Sequence, residues 1–120
     1  MKFIDFFSGI GGFSLALTKA GFELAGYCEI DKYAVESFRA IHNIKEGDIW
    51  YANDIRKIKP EEIPVSDIWT AGFPCQDISV CKQGARGLAG ERSGLFFEII
   101  RLVKGKSPED RPSYLVAENV

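Results

Sequence analysis

The sequence lacks a strong charge of either sign. Its 120 residues carry 15 lysines and arginines against 17 aspartates and glutamates, a formal net charge of -2 at pH 7. No overall basic field is therefore available to attract a nucleic acid or an anionic membrane. If the partner is DNA, the basic surface must be local or lie on residues outside this chain.

Histidine and cysteine are also scarce. The chain has one histidine, His42, and three cysteines, Cys28, Cys75 and Cys81, with no CxxC spacing. This set predicts neither a zinc site nor a disulfide framework. The sequence also has no apolar run of about 18 residues, which a membrane span would need. We therefore predict no metal site, no membrane and a reducing, cytoplasmic setting.

Apolar residues make up 46% of the chain, enough for the core of one domain. Short apolar segments alternate with segments of helical periodicity. The predicted strands are 2–7, 22–28, 48–51, 66–73 and 113–120, and the predicted helices are 13–20, 31–43 and 95–105. This alternation predicts a doubly wound, mostly parallel α/β sheet with ligands at the carboxyl ends of its strands. Because the last strand would be left uncovered, we expect the chain to be truncated.

Helical periodicity also predicts which faces are buried. The second helix is expected to bury Ala34, Phe38 and Ile41, with Asp31 as its N-cap. The third is expected to bury Leu95, Ile99, Leu102 and Val103.

A glycine-rich loop with Gly9, Gly11 and Gly12 joins the first predicted strand to the first helix. Glycine lets the backbone approach a ligand closely at a helix N-terminus. The spacing departs from the dinucleotide pattern, which has a further glycine where this chain has Ser14. Glu29, 17 residues after Gly12, could accept hydrogen bonds from a ribose diol. The pair predicts a nucleoside-bearing cofactor; a tight turn beside a surface glutamate is the alternative.

Asp54 follows the third predicted strand, where a carboxylate could accept a hydrogen bond from the exocyclic amine of adenine. Asp48 competes for the same role. The alternative for each is a solvated loop acid.

Cys75 follows Pro74 in the stretch AGFPCQDIS, directly after the fourth predicted strand. Proline stiffens this turn and fixes the direction of the next side chain. A thiol near arginines such as Arg86 and Arg92 ionises more easily. Glu118 would end the neighbouring strand, which places an acid beside the thiol at one edge of the sheet. We therefore predict that Cys75 is a nucleophile.

The other two cysteines and the histidine have simpler interpretations. Cys28, inside its strand, is interpreted as a buried apolar thiol, and Cys81, in a long polar loop, as incidental. His42 is predicted to lie at the end of a helix, far from Cys75, which disfavours a cysteine hydrolase.

Four stretches, DFFSGIGGFSLAL, GFPCQDIS, ERSGLFFEIIRLV and ENV, follow one another in a specific order. In this order and at these separations they resemble the cytosine-5 DNA methyltransferase family over essentially all 120 residues. The most specific signal is PCQ at 74–76 followed by ENV at 118–120. The resemblance implies a Rossmann-like fold that uses S-adenosylmethionine. Residues 1–120 would be the N-terminal part of the catalytic domain, without the family's later motifs and target recognition region.

The resemblance also implies a role for particular residues. Cys75 would be the nucleophile, Glu118 the acid that protonates the base, and Asn119 the residue that positions the turn. Glu29 would bind the ribose of the cofactor, and Asp54 with Ile55 its adenine. The full implied cofactor set is Phe7, Gly9, Gly11, Glu29, Ile30, Asp54, Ile55, Pro74 and Leu95. The implied DNA contacts are Gln76, Ser79, Arg86 and Arg92.

The implied reaction explains these residue types. Carbon 5 of cytosine is too weak a nucleophile to take a methyl group directly. A Cys75 thiolate therefore adds to carbon 6 while Glu118 protonates N3, which makes carbon 5 nucleophilic. Because a stacked cytosine hides carbon 6, the base would be flipped out of the duplex. The polar loop 80–92 would close over it and contact phosphates.

Two other functions stay open. A transfer RNA cytosine-5 methyltransferase would share these motifs, and a non-catalytic or split-subunit module would only bind the cofactor. The resemblance implies double-stranded DNA as the partner of the complete protein, in a phage or restriction-modification setting. Residues 1–120 alone are expected to transfer no methyl group and to self-associate through an uncovered sheet edge.

Overall fold

The computed structural model describes residues 1–73 and 94–119, with only the backbone at position 119. Within these residues, one parallel sheet contains β1 (Lys2–Phe6), β2 (Glu23–Cys28), β3 (Trp50–Ala52), β4 (Ile68–Phe73) and β5 (Tyr114–Asn119). The α-helices are α1 (Gly12–Lys19), α2 (Lys32–His42) and α3 (Gly94–Gly105). Short 3-10 turns cover Ile55–Lys57, Pro60–Glu62 and Pro108–Asp110.

The strand order in space is β3-β2-β1-β4-β5. The direction in which the chain adds strands reverses between β1 and β4, and doubly wound sheets bind ligands at such a reversal, outside the carboxyl ends of the strands. The predicted α/β fold is therefore confirmed. A ligand-binding site is therefore expected outside the carboxyl ends of β1 and β4.

Burial explains why the central strands form where they do. β1 and β4 are covered on both faces, so their sequences are nearly continuous apolar runs rather than alternating ones. The main core lies on one face of the sheet, where Phe6 and Trp69 pack with ring centroids 4.9 Å apart against Ile99 and Leu102 of α3. The opposite face holds a second cluster built on Tyr27 and Phe38, whose rings stack at 4.4 Å.

The structure confirms the predicted N-cap of α2 and corrects its buried face. The Asp31 carboxylate accepts a hydrogen bond from the Tyr33 N–H at 2.8 Å, which satisfies a backbone donor at the helix start. Val35 and Phe38 are buried, whereas Ile41, expected inside, is 52% exposed. The apolar stripe is rotated by about one residue, because Val35 and Phe38 are the residues that meet Tyr27 on the sheet.

The predicted position of the third strand is also corrected. β3 begins at Trp50, and Asp48 lies before it in a turn where its carboxylate accepts a hydrogen bond from the Lys45 N–H at 2.8 Å. This local bond makes Asp48 a turn residue rather than a ligand of the sheet edge. In the described part of the chain, no helix is long and apolar enough to cross a membrane.

Candidate functional site

The carboxyl ends of the strands meet along one edge of the sheet. Phe6 pairs with Cys28, and Cys28 pairs with Ala52, so the residues after β1, β2 and β3 emerge side by side. On the other side of β1, Gly72 near the end of β4 pairs with Glu118 on β5. The predicted glycine loop, Glu29, Asp54 and Glu118 therefore share this edge.

The loop between β1 and α1 has an unusual backbone. Phe7, Gly9 and Gly11 have positive φ angles of 54°, 56° and 96°. This conformation is costly for a residue with a side chain, so Phe7 is a strained position. The loop is held to the sheet by the Ser8 N–H, which donates to the Cys28 carbonyl at 3.1 Å.

The glycines of this loop face different surroundings. A Cβ added at Gly9 or Gly12 would meet no atom within 4 Å, so both present bare backbone to open space. A Cβ at Gly11 would instead overlap the His42 ring and lie 2.8 Å from the Phe38 ring. Gly9 therefore suits close approach of a ligand, whereas Gly11 is needed for close packing of the loop on α2.

Glu29 ties the loop to the second strand. Its Oε1 accepts a hydrogen bond from the Gly9 N–H at 2.8 Å, and its Oε2 accepts one from the Asp31 N–H at 3.0 Å. A surface glutamate with no structural role would not bridge two loops in this way. Ile30, the adjacent residue in the predicted cofactor set, is 63% exposed at the same edge.

Ser8 adds a polar group to this region. It is buried, and among the described residues its hydroxyl is the buried side-chain polar atom without a hydrogen-bond partner. Such groups are rare in native proteins. A hydroxyl of this kind beside Gly9 fits a loop that binds a polar ligand.

Asp54 and Ile55 follow β3 and begin a 3-10 turn. The Asp54 carboxylate accepts from the Arg56 backbone N–H at 3.0 Å and from the Arg56 Nε at 3.0 Å. The hydrogen bond from the Arg56 side chain, more than any other cause, holds the pKa of Asp54 below its ordinary value. Asp54 is thus an ionised, oriented acceptor, and Arg56 is a partner that sequence reasoning did not single out. Ile55 is buried in the main core.

Aromatic side chains line the junction of β1 and β4. The Phe7 ring lies 5.3 Å from the Phe73 ring, which lies 5.4 Å from the Phe96 ring of α3. Leu95 packs on the same core. Phe7 and Leu95, both predicted cofactor residues, therefore lie on one apolar cluster at the reversal point of the sheet.

A buried polar cluster lies behind the glycine loop. The Asp5 carboxylate accepts hydrogen bonds from the Ser14 hydroxyl at 2.5 Å and from the Thr70 hydroxyl at 3.0 Å. Burial raises the pKa of Asp5 to about 6 despite these bonds. Asp5 therefore links β1 to the first turn of α1 and to β4. Sequence reasoning missed it; the available signal was an acid within an otherwise apolar strand.

The remaining predicted residues divide into two groups. Glu118 lies beside Gly72, three residues before Cys75 in the sequence, and its side chain is exposed. The others lie outside the described residues: Pro74, Cys75, Gln76, Ser79, Cys81, Arg86 and Arg92.

Cys28 and His42 have defined surroundings. Cys28 is buried as predicted, and burial, followed by the charges of Glu29 and Asp54, raises the pKa of its thiol to about 12. His42 ends α2 as predicted, yet its Nε2 is 3.1 Å from the Ile10 carbonyl oxygen. It therefore contacts the glycine loop, which the sequence did not indicate.

The fold is a doubly wound α/β sheet in which the direction of strand addition reverses between β1 and β4. The family model of the C-5 cytosine-specific DNA methylases matches residues 1–120. The chain therefore belongs to the C-5 cytosine-specific DNA methylase family, in agreement with the resemblance seen in its motifs.

Individual relatives agree with this family. The chain is 40% identical over 122 residues to the orphan methyltransferase M.SPRI of Bacillus phage SPR, covering 100% of this chain and 26% of that protein. It is 42% identical over 110 residues to the type II methyltransferase M.HhaI of Haemophilus parahaemolyticus, covering 91% and 32%. A crystal structure described as a DNA modification methyltransferase encoded within a prophage (E. coli) has a TM-score of 0.72 at 27% identity, covering 100% and 32%. The chain thus spans about a third or less of the length of these proteins.

Proposed function

We propose that this chain is the cofactor-binding part of an S-adenosylmethionine-dependent DNA cytosine-5 methyltransferase. The observation that carries the proposal is the match of the methylase family to all of residues 1–120. It is supported by a strand order that brings the glycine loop, Glu29, Asp54 and Glu118 to one sheet edge.

The residues at this edge fit such a cofactor. Gly9 permits close backbone approach, and Ser8 has a hydroxyl to offer. The Glu29 carboxylate accepts hydrogen bonds from two backbone N–H groups, which occupy about half of its lone-pair sites. The remaining lone pairs can accept hydrogen bonds from a ribose diol. Asp54 can accept from the adenine amine. When bound, S-adenosylmethionine supplies an electrophilic methyl group.

The sign of the charge at the edge distinguishes this cofactor from a dinucleotide. Glu29, Asp31 and Glu118 lie at or directly after the carboxyl ends of the strands, as does Asp54, whose charge is paired with Arg56. Nearby carboxylates attract a cationic ligand and repel a pyrophosphate. S-adenosylmethionine carries a sulfonium cation and no phosphate, so the acidic edge supports it over a dinucleotide.

The covalent mechanism is proposed for Cys75 and Glu118. The Cys75 thiolate adds to carbon 6 of the cytosine while Glu118 gives a proton to N3, so that carbon 5 gains nucleophilic character. After carbon 5 has been methylated, a base removes its proton and the thiolate leaves from carbon 6. The pairing of Glu118 with Gly72, three residues before Cys75, supports this assignment.

The proposed substrate is a cytosine flipped out of double-stranded DNA, contacted through Gln76, Ser79, Arg86 and Arg92. The names of the relatives support a phage or restriction-modification setting. The proposed location, where the DNA substrate is found, is the cytoplasm. Tyr114, Leu115 and Val116 on β5 are exposed apolar side chains. They support the further proposal that residues 1–120 by themselves self-associate.

A methylation assay tests the proposed function. The complete protein that contains residues 1–120, with tritiated S-adenosylmethionine, should label double-stranded DNA at 5-methylcytosine, and Cys75→Ser in it should lower the rate by several orders of magnitude. Cys81→Ser is the matched control and should keep its activity. Label transferred to transfer RNA but not to DNA would favour the RNA enzyme, and no transfer by the wild-type protein would reject the proposal.

A further inference from the structure

Arg101 of α3 holds the backbone of the turn that follows β3. Its Nη1 donates to the Ile58 carbonyl at 3.0 Å and its Nη2 donates to the Ile55 carbonyl at 3.1 Å. Its Nε donates to Oε2 of Glu98 at 2.9 Å, which fixes the guanidinium on its own helix. All three nitrogens are thus engaged, and two of them act on a segment 43 and 46 residues away in the chain.

The turn held by Arg101 is the one proposed to contact adenine. Ile55 follows Asp54 directly, and the turn is closed by two backbone bonds, one from the Lys57 N–H to the Asp54 carbonyl at 3.0 Å and one from the Ile58 N–H to the Ile55 carbonyl at 3.2 Å. A single 3-10 turn has little intrinsic stability, since its hydrogen-bond geometry is poor and few bonds oppose its opening. The two bonds from Arg101 are charge-assisted and therefore stronger than bonds between neutral groups.

We propose that Arg101 is a positioning residue for the adenine end of the cofactor site, an inference that rests on the proposed function. By fixing the carbonyls of Ile55 and Ile58, Arg101 keeps Asp54 and the Ile55 backbone in the conformation that receives the base. Without it, the turn samples other conformations, and the cofactor must select the competent one. The apparent dissociation constant then rises by the inverse of the competent fraction.

Lys106, the residue directly after α3, provides a matched control. Its buried ammonium donates to the Pro60 carbonyl at 3.3 Å and to the Ile63 carbonyl at 2.9 Å. Like Arg101, it is a cation that holds two carbonyls of the 53–63 segment. Its two partners lie farther along the chain from Asp54, so its loss should destabilise the protein without disturbing the adenine end.

The test compares Arg101→Met with Lys106→Met in the complete protein that contains residues 1–120, each measured well below its melting temperature. Binding of S-adenosylmethionine is followed by calorimetry, folding by thermal melting, and methyl transfer by steady-state kinetics. Arg101→Met should raise the dissociation constant and the cofactor KM about 10-fold, with kcat at saturating cofactor unchanged. Lys106→Met should lower the melting temperature and leave the dissociation constant within about twofold.

A further variant guards against loss of folding. Arg101→Lys keeps the charge but not the forked geometry, so it should give a smaller increase in the dissociation constant than Arg101→Met. Two results would overturn the role of Arg101 but not the proposed function. One is an equal dissociation constant for Arg101→Met and the wild-type protein, and the other is an equal increase in the dissociation constant for Arg101→Met and Lys106→Met. A wild-type protein that bound no S-adenosylmethionine would overturn the proposed function and this inference together.

Discussion

The backbone N–H of Gly9 donates a hydrogen bond to Oε1 of Glu29 at 2.8 Å, across 20 residues of sequence. The bond joins the glycine loop after β1 to the end of β2. The same carboxylate accepts from the Asp31 N–H at the start of α2. One side chain therefore fixes the relative position of two helix starts at the edge where the cofactor is proposed to bind.

Replacing Glu29 should weaken cofactor binding, because Glu29 is proposed to bind the ribose and also holds the glycine loop through the Gly9 N–H. We expect Glu29→Ala to cost about 1–3 kcal/mol of S-adenosylmethionine binding, since charge-assisted hydrogen bonds are lost. Turnover at saturating cofactor should largely survive. Calorimetric titration measures the change, with Glu23→Ala, an exposed glutamate at the other end of β2, as the control. An unchanged dissociation constant for Glu29→Ala would return Glu29 to a purely structural role.

Substitution of Gly9 should affect cofactor binding as well as stability, whereas a control glycine outside the loop should affect stability alone. Gly9→Ala should cost about 1–2 kcal/mol of stability, because its φ of 56° is strained for alanine, and should also weaken cofactor binding. Gly47→Ala is the control, since Gly47 has a φ of 89° and equally open surroundings away from the edge. It should show the same strain and normal binding. Equal cofactor affinity in the two variants would remove Gly9 from the site.

Gly11 should behave as a packing residue. Because a Cβ there would overlap His42 and Phe38, we expect Gly11→Ala to lower the free energy of unfolding by about 2–4 kcal/mol. Urea denaturation of Gly11→Ala and Gly9→Ala side by side measures the difference. A Gly11→Ala protein as stable as Gly9→Ala would contradict the close packing of the loop on α2.

Asp5 should make stability depend on pH. Its pKa is raised from 3.8 to about 6 in the folded protein, so the protonated form is favoured by folding. The resulting stability is fully present below pH 3.8 and is lost as the pH rises through about 6. Asp5→Asn cannot titrate. Relative to the wild-type protein, the free energy of unfolding of Asp5→Asn should therefore rise by about 3 kcal/mol between pH 3.5 and pH 7.

Urea denaturation at several pH values checks this prediction. The comparison of the two proteins cancels the groups that titrate in both. Parallel stability profiles across this range would show that the pKa of Asp5 is the same in the folded and the unfolded protein, which would contradict the prediction.

Cys28 should resist thiol reagents in the native protein. With a pKa of about 12 and a buried side chain, its thiolate is scarce at neutral pH and shielded from reagents. Iodoacetamide should therefore modify Cys28 only after denaturation, as read by peptide mass spectrometry. Equal labelling of Cys28 in native and denatured protein would contradict its burial.

The sequence predicted the parts of the site that depend on local chain order. The glycine loop and Glu29 follow strands whose apolar runs are clear, and Glu118 lies near the end of another, so their place at the carboxyl ends of the strands follows from parallel topology. The boundary of β3 was wrong because Asp48 forms a local turn that periodicity does not register. Ile41 was wrongly predicted to be buried, because a helix of this length offers more than one apolar stripe.

Tertiary contacts account for what sequence reasoning did not find. The partners of Asp5 lie 9 and 65 residues away, and those of Arg101 lie 43 and 46 residues away. The local pattern marks Asp5 only as an acid within an apolar strand and does not show its partners, and nothing in the pattern around Arg101 distinguishes it from a solvated charge. The different roles of Gly9 and Gly11 likewise depend on where α2 packs, which spacing alone does not give.

The most direct test of the central claim traps the covalent adduct on the target base. DNA containing 5-fluorocytosine is incubated with the complete protein that contains residues 1–120 and with S-adenosylmethionine. Because fluorine at carbon 5 cannot leave as a proton does, the thiolate cannot be expelled and the adduct persists. The wild-type protein and Cys81→Ser should form a denaturation-resistant complex with DNA, mapped by mass spectrometry to Cys75, and Cys75→Ser should form none. An adduct on another residue, or methylation of normal DNA by Cys75→Ser, would contradict a cytosine-5 mechanism centred on Cys75.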